Sequence, residues 1–257
     1  MNAFRTFLRV ISWISLAAWI ALVFYEPPLP APADVVPEVK TEEPRQAADS
    51  IRELSLEINS FQYTLEPLYR YDLQGVVVSL YDSASWFDLA HQDDPGNIRD
   101  LCVAWGKNVS SGTYREVTYQ SGEFTCSFRW SIKLDPPFDI HGVSNNHILP
   151  ATDAVAKKIR SVIRGDQVRM QGYLTNYSVQ DAQGRKLYTR KTSTSRNDTG
   201  GSACEIVYVT DFEILKATDR LPYRAQTAAL WTFLGAILLR LTLVFTLPMG
   251  PRPTTPS

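Results

Sequence analysis

The chain has 257 residues, 44% of them hydrophobic, and a formal net charge of -1. That length allows one or two domains with a real core. All 27 acidic residues lie between Glu26 and Asp219, while four of the 26 basic ones (Arg5, Arg9, Arg240 and Arg252) lie at or within the apolar ends; the other 22 leave the middle with a net of -5, without the basic surplus of a general nucleic-acid binder.

Residues 10–25, VISWISLAAWIALVFY, carry no charge. Including Phe7, Leu8 and Arg9 gives about 19 residues, close to the roughly 20 that a helix needs to cross the hydrocarbon core. Arg9 falls at the interface, Trp13 and Trp19 suit a membrane helix, and Pro27 and Pro28 end it. Residues 1–25 thus read as an N-terminal anchor. A second reading stands beside it, because a basic start, an apolar run and Ala31-Pro32-Ala33 also form the pattern of a cleaved secretory signal. Arg5 and Arg9 precede the span, while Glu26, Asp34 and Glu38 follow it. The positive-inside tendency then keeps the N-terminus in the cytoplasm and the middle outside. In a bacterium with two membranes, this is an inner-membrane protein with a periplasmic central domain.

Residues 26–60 form a Pro-rich linker, with six prolines between positions 26 and 49. Such a stretch favours extended polyproline II geometry and reads as a spacer lifting the domain off the bilayer. Strand patterns follow at 75–81, 100–106, 114–119, 123–130, 167–174 and 206–215, with turn residues at their borders. One helix is expected at 152–164. Val155, Ile159, Val162 and Ile163 share a face there, Thr152 caps the start and Gly165 offers a left-handed stop. The 144–147 stretch, SNNH, reads as an irregular connection before that helix.

Short strands with one helix before the fourth principal strand predict a mainly β fold. The expectation is a small OB-like β-barrel over 61–217, since closure removes exposed strand edges. RGDQVRMQG at 164–172 resembles the fourth strand of an OB-fold, and YDLQGVVVS at 71–79 resembles the first. Residues 225–247 supply a second span with one charge, Arg240, near its C-terminal end, where the long stem reaches the headgroups. Pairing of Arg240 with an acidic group on a partner helix is the alternative. Residues 248–257 form a short tail.

Several segments, YDLQGVVVSLYDSASWFD, RDLCVAWGKNVSSGTYREV, SGEFTC, VSNNHILPA, RGDQVRMQGYL and TSRNDTGGSACEIVYV, are similar to a family of uncharacterised bacterial proteins with an N-terminal membrane segment. The resemblance implies a shared fold and no particular activity.

Among chemistry-bearing residues, Cys102, Cys126 and Cys204 come first. Cys102 and Cys126 fall in strands expected to be adjacent and form the favoured disulfide. Cys204 pairing with either, or no bridge, are the alternatives. A Cys102–Cys126 bridge would close about 24 residues and stabilise by roughly 3 kcal/mol on the chain-entropy model. No two cysteines form a CxxC pair, so redox catalysis is not expected. His91 with Asp93 and Asp94 matches no zinc spacing and reads as a solvated turn. Neither a metal nor a cofactor is expected. The haem-binding His of the membrane-tethered OB haem chaperones, with a Tyr four residues later, has no counterpart after His91, His141 or His147.

The densest polar cluster, 192–205, contains Arg196, Asp198 and Glu205, which can pair internally or line a cleft. With Asn145, Asn146 and His147 these are the candidate ligand-binding residues. No catalytic residue is assigned, because no nucleophile elbow, phosphate loop or paired-carboxylate pattern accompanies them. Tyr63, Tyr69, Tyr71, Trp86, Phe87, Trp105 and Trp130 are read as core. The expected function is a non-enzymatic, membrane-tethered binding or assembly module. Its expected partners are the lipid bilayer and a membrane or periplasmic protein. Alternatives are an envelope hydrolase using the Arg196–Glu205 cluster with His147, and a single-strand-binding OB domain, which the acidic balance disfavours.

Overall fold

A computed structural model describes residues 2–49, 51–83, 88, 94–131, 133–198 and 204–246. His91, Asp93, Trp86, Phe87, Leu247 and the 248–257 tail lie outside the described residues. The chain divides into two units, Met1–Pro27 with Asp219–Ser257, and Pro28–Thr218.

In the first unit, α1 (Asn2–Val23) and α5 (Leu221–Thr246) pack against each other. Both are long and apolar enough to cross a membrane, over Ala3–Val23 and Leu221–Phe245. Leu8, Ser12 and Ser15 form one buried stripe on α1, and Ala236 is buried on α5. Small residues let helix backbones approach closely in an apolar solvent. The Ser12 and Ser15 hydroxyls donate to the Leu8 and Ile11 carbonyls, each at 2.6 Å, so neither polar group is left unpaired. Trp13, Trp231, Leu238 and Phe245 face outward. Arg240 sits in the last two turns of α5.

The second unit is mainly β. Its strands are β1 (Arg45–Ala48), β2 (Leu54–Ile58), β3 (Phe61–Tyr81), β4 (Arg99–Ala104), β5 (Thr118–Gly122), β6 (Thr125–Arg129), β7 (Val143–Pro150), β8 (Gln167–Gln180), β9 (Lys186–Arg190) and β10 (Cys204–Lys216). Five of them pair in a circuit that returns to its start: β3 with β4, β4 with β7, β7 with β10, β10 with β8, and β8 with β3. Only the β7–β10 pair in this circuit is parallel. β3 is far longer than the expected 75–81 because both its edges are used. One edge pairs with β8, and the other with β2, β1 and β4 in turn. β2 turns into β3 through Asn59 and Ser60, both at positive φ (50° and 70°), as a tight two-residue hairpin requires.

Side chains alternate along the circuit. Val77, Leu101, Val103, Ile148, Met170, Val207 and Phe212 join one core cluster. Helix α4 (Asp153–Arg160) adds Val155, Ala156 and Ile159 to it. Val76, Val78, Cys102 and Ala104, the intervening residues, face a second cluster with Tyr114, Tyr119, Phe138 and Val109 of the short helix α3 (Lys107–Ser111). Burial on both faces explains the unbroken valine run. The Thr152 hydroxyl caps α4 by accepting from the Val155 N–H. The helix ends at Arg160 rather than 164, because the Arg99 guanidinium takes the carbonyls of Ile159, Arg160 and Val162.

Several expectations differ from what forms. Residues 114–119 are not one strand: Thr113–Arg115 is a 3-10 turn and β5 starts only at Thr118. The 26–60 stretch is not an extended spacer. It holds a 3-10 turn (Pro32–Asp34), α2 (Pro37–Thr41), β1 and β2, and buries Leu29, Val35 and Val39 in the second cluster. The prolines start short helical turns there, and the valines and Leu29 supply apolar contacts that outweigh the linker-like composition. Residues 144–147 are not an irregular connection but the middle of β7. The segment 123–130 does not enter the circuit; β5 and β6 form a separate hairpin. Cys102 and Cys126 therefore belong to different sheets rather than neighbouring strands.

Candidate functional site

Parallel pairing sets the starts of β7 and β10 side by side, at the end of the circuit away from α4, which follows β7. A cleft of about 560 Å³ opens there. Its walls come from Phe124 to Phe128 of the β5–β6 hairpin, Ile140 and His141, Val143 to Asn145 of β7, the 195–198 loop, and Cys204 and Glu205.

Arg196 reaches from the loop onto Glu205, with Nη1 bonded to the Glu205 carboxylate and Nη2 donating to the Tyr71 hydroxyl at 2.9 Å. Its guanidinium also lies 5.2 Å from the Trp105 ring centre, within cation–π range. Tyr71 and Trp105 are 1% and 2% exposed, so Arg196 is held against the core by aromatic walls. Burial pushes the Glu205 carboxyl upward, Arg196 pulls it back, and it settles at about 7. The loop is further fixed by Ser193 donating to Asp198 at 2.7 Å, and by His141 Nδ1 against the Arg196 carbonyl.

Of the expected site residues, Asn145, Arg196, Asp198 and Glu205 line the cleft. Asn145 is 6% exposed, and neither its Oδ1 nor Glu205 Oε2 has a partner among the described residues. Asn146 lies on the opposite face of β7, where its Nδ2 donates to the Leu101 carbonyl and to Ser144. His147 is buried and does not line the cleft; its Nδ1 is 2.7 Å from the Asp100 carboxylate. Sequence reasoning missed Asp100, Tyr71 and Cys204 as neighbours of these groups. The signal is the strand register: Cys102 pairs with Asn145, which pairs with Cys204, while Asp100 pairs with His147.

Cys102 and Cys126 stand at disulfide distance, their Cα atoms 6.0 Å apart, tying the hairpin to β4. Asp94 is fully buried beneath the hydroxyls of Tyr63 and Tyr177 and beside Arg190, which also covers the Phe124 ring at 3.7 Å. Among the aromatics read as core, Tyr63, Tyr71 and Trp105 are buried, but Trp130 is 42% exposed at the hairpin edge, stacked on Phe128.

Glu205 and His147 set a pH dependence of stability. Glu205 is raised from 4.5 to about 7, so the folded chain holds its proton between those values. The resulting stabilisation is complete below 4.5 and is lost as pH rises through 7. His147, raised from 6.5 to about 9, extends the decline above that range. The melting temperature of the detergent-solubilised protein should therefore fall as pH rises from 4.5 to 7, and Glu205→Gln should flatten that limb alone. An unchanged slope in the variant would assign the dependence to other groups.

No protein-family model, no curated protein and no solved structure matches the chain.

Proposed function

We propose that this chain is a membrane-tethered binding or assembly module of the bacterial cell envelope, akin to the family its segments resemble. The terminal helices hold it in the inner membrane, and its β unit works in the periplasm as an OB-like barrel. The barrel reading is supported by the five-strand pairing circuit, its single parallel pair, and α4 placed between β7 and β8.

The observation that carries the binding reading is the cleft. Phe124, Phe128, Ile140 and Val143 give it apolar walls, and a few polar groups converge in it. Asn145 Oδ1 and Glu205 Oε2 are buried acceptors without partners among the described residues, suited to a hydrogen-bond donor on a membrane or periplasmic protein. A photo-crosslinking residue at Ser127, on the cleft wall, should capture one such protein from native membranes. The same residue at exposed Lys186 on β9 should not. Equal capture from both positions would sink the reading. For topology, a reporter fused after Asp219 should report the periplasm; cytoplasmic activity would reverse the orientation.

A hydrolase reading needs Arg196, Asp198, Glu205 and His147 in one cleft. The first three line it, but His147 faces Asp100 instead, which favours recognition.

A further inference from the structure

All three cysteines of the chain line this one cleft. Residues paired across adjacent strands place their side chains on the same face. The pairings Cys102 with Asn145 and Asn145 with Cys204 therefore set three side chains in a row across β4, β7 and β10. Cys204 lies two strand spacings, roughly 10 Å of backbone, from Cys102. The hairpin bridges this gap. Cys126 is joined to Cys102, and Cys204 Sγ lies 3.7 Å from the carbonyl oxygen of Phe124, two residues before Cys126. Cys102 is fully buried, whereas Cys126 and Cys204 are partly exposed.

His147 shares the face of Asn145, two residues along β7. Asp100 holds its Nδ1, and the same imidazole interacts with Cys204. With Nδ1 engaged by Asp100, Nε2 is the nitrogen left to face the Cys204 sulfur. The Phe124 ring packs edge-on against the imidazole at 5.4 Å and fixes its plane. Burial lowers the imidazole pKa, but the hydrogen bonds with Asp100 and Cys204 outweigh it and lift the value to about 9.

We propose that Cys204 is a thiol nucleophile, activated by His147 and positioned by Asp100, that exchanges with the Cys102–Cys126 disulfide. The Cys204 proton passes to solvent, and the His147 imidazolium stabilises the thiolate it leaves. The thiolate attacks Cys126 Sγ, the Cys204–Cys126 bond forms as the Cys126–Cys102 bond breaks, and Cys102 leaves as a thiolate that recovers a proton from solvent. One disulfide and one thiol exist before and after, so no oxidant or reductant is consumed. Asn145 Nδ2, 3.9 Å from Cys204 Sγ, donates to the attacking sulfur. The exchange moves the tether of the β5–β6 hairpin from β4 to β10, across the mouth of the cleft. This inference does not depend on the binding reading.

The test uses the full-length protein in membranes. In Cys102→Ser, which leaves only the two exchanging partners, mild oxidation should join Cys126 to Cys204, as read by mass spectrometry of unreduced, alkylated peptides. Two free thiols after that treatment would overturn the proposal. Since this variant also loses the original bridge, a second measurement uses the intact disulfide. Cys204 is titrated with an aromatic disulfide that releases a coloured thiolate. His147→Gln should react about tenfold more slowly at neutral pH and follow the pH profile of an ordinary thiol. Asp100→Asn should shift the profile in the same direction by less. Wild-type rates and an unchanged profile in His147→Gln would also overturn it.

Discussion

Gly172→Ala is expected to abolish folding of the β unit. Gly172 pairs with Tyr71 of β3 on one side and Val209 of β10 on the other, in the middle of the pairing circuit. An added Cβ would stand 2.0 Å from the Tyr208 carbonyl oxygen and 2.9 Å from its carbon. Both are backbone atoms, so relief requires β8 and β10 to part by more than 1 Å, roughly, and to lose ladder hydrogen bonds. The cost exceeds about 4 kcal/mol, a large share of the stability of a domain. The comparison is Gly184→Ala, where φ is +75° but no atom lies within 4 Å. That change carries only the backbone penalty, about 1 kcal/mol. Protease resistance of the two purified variants separates them: Gly172→Ala should be degraded and Gly184→Ala should survive. Survival of both would mean that the strands at Gly172 are looser than the register implies.

Arg99→Met is expected to destabilise the protein by roughly 3–5 kcal/mol, the range for removing one partner of a buried charged network. Arg99 Nη1 donates to the carbonyls of Ile159, Arg160 and Val162 at 3.1, 2.9 and 2.9 Å, and Nη2 reaches Asp82 at 3.1 Å. The helix end closes onto the cluster through Ile159 and Val162, and the bonds to their carbonyls are buried, while that to Arg160 is partly buried. Methionine fills the space and leaves them unpaired. Lysine retains the charge but not the fork, and should recover part of the loss. Urea unfolding measures the total, and hydrogen exchange at the end of α4 should rise first. Equal stabilities for Arg99→Met and Arg99→Lys would assign the effect to side-chain packing rather than to the carbonyls.

These two residues mark different degrees of legibility. Gly172 sits in a run, RGDQVRMQG, whose alternation already identifies a strand. Arg99 gave no signal, because its partners lie about sixty residues away, at a helix end that periodicity placed too late. β7 escaped for a related reason. Its polar residues, Ser144 to His147, look like loop chemistry until the neighbouring β4 supplies partners: Leu101 for Asn146, and Asp100 for His147. The 26–60 stretch was misread because composition reports the average preference of a segment. Three buried side chains, Leu29, Val35 and Val39, decide where this one lies.

In the candidate site, Arg196 and Glu205 stand nine residues apart, and their charges suggested a pair. That Tyr71 and Trp105 enclose the arginine follows from β3 and β4 meeting in the circuit, which no local window contains. By itself, the sequence determined the two apolar helices at the chain ends, the β character of the middle, the capped helix after Thr152 and the cysteine pair most apt to bond. Each depends on length, periodicity or one strong local preference. Only the tertiary structure decided which strands close the circuit, that the Pro-rich stretch folds against it, and that Cys204, His147 and Asp100 come together beside the Cys102–Cys126 pair. Those juxtapositions are set by strand register, where a slip of one residue turns every side chain to the other face.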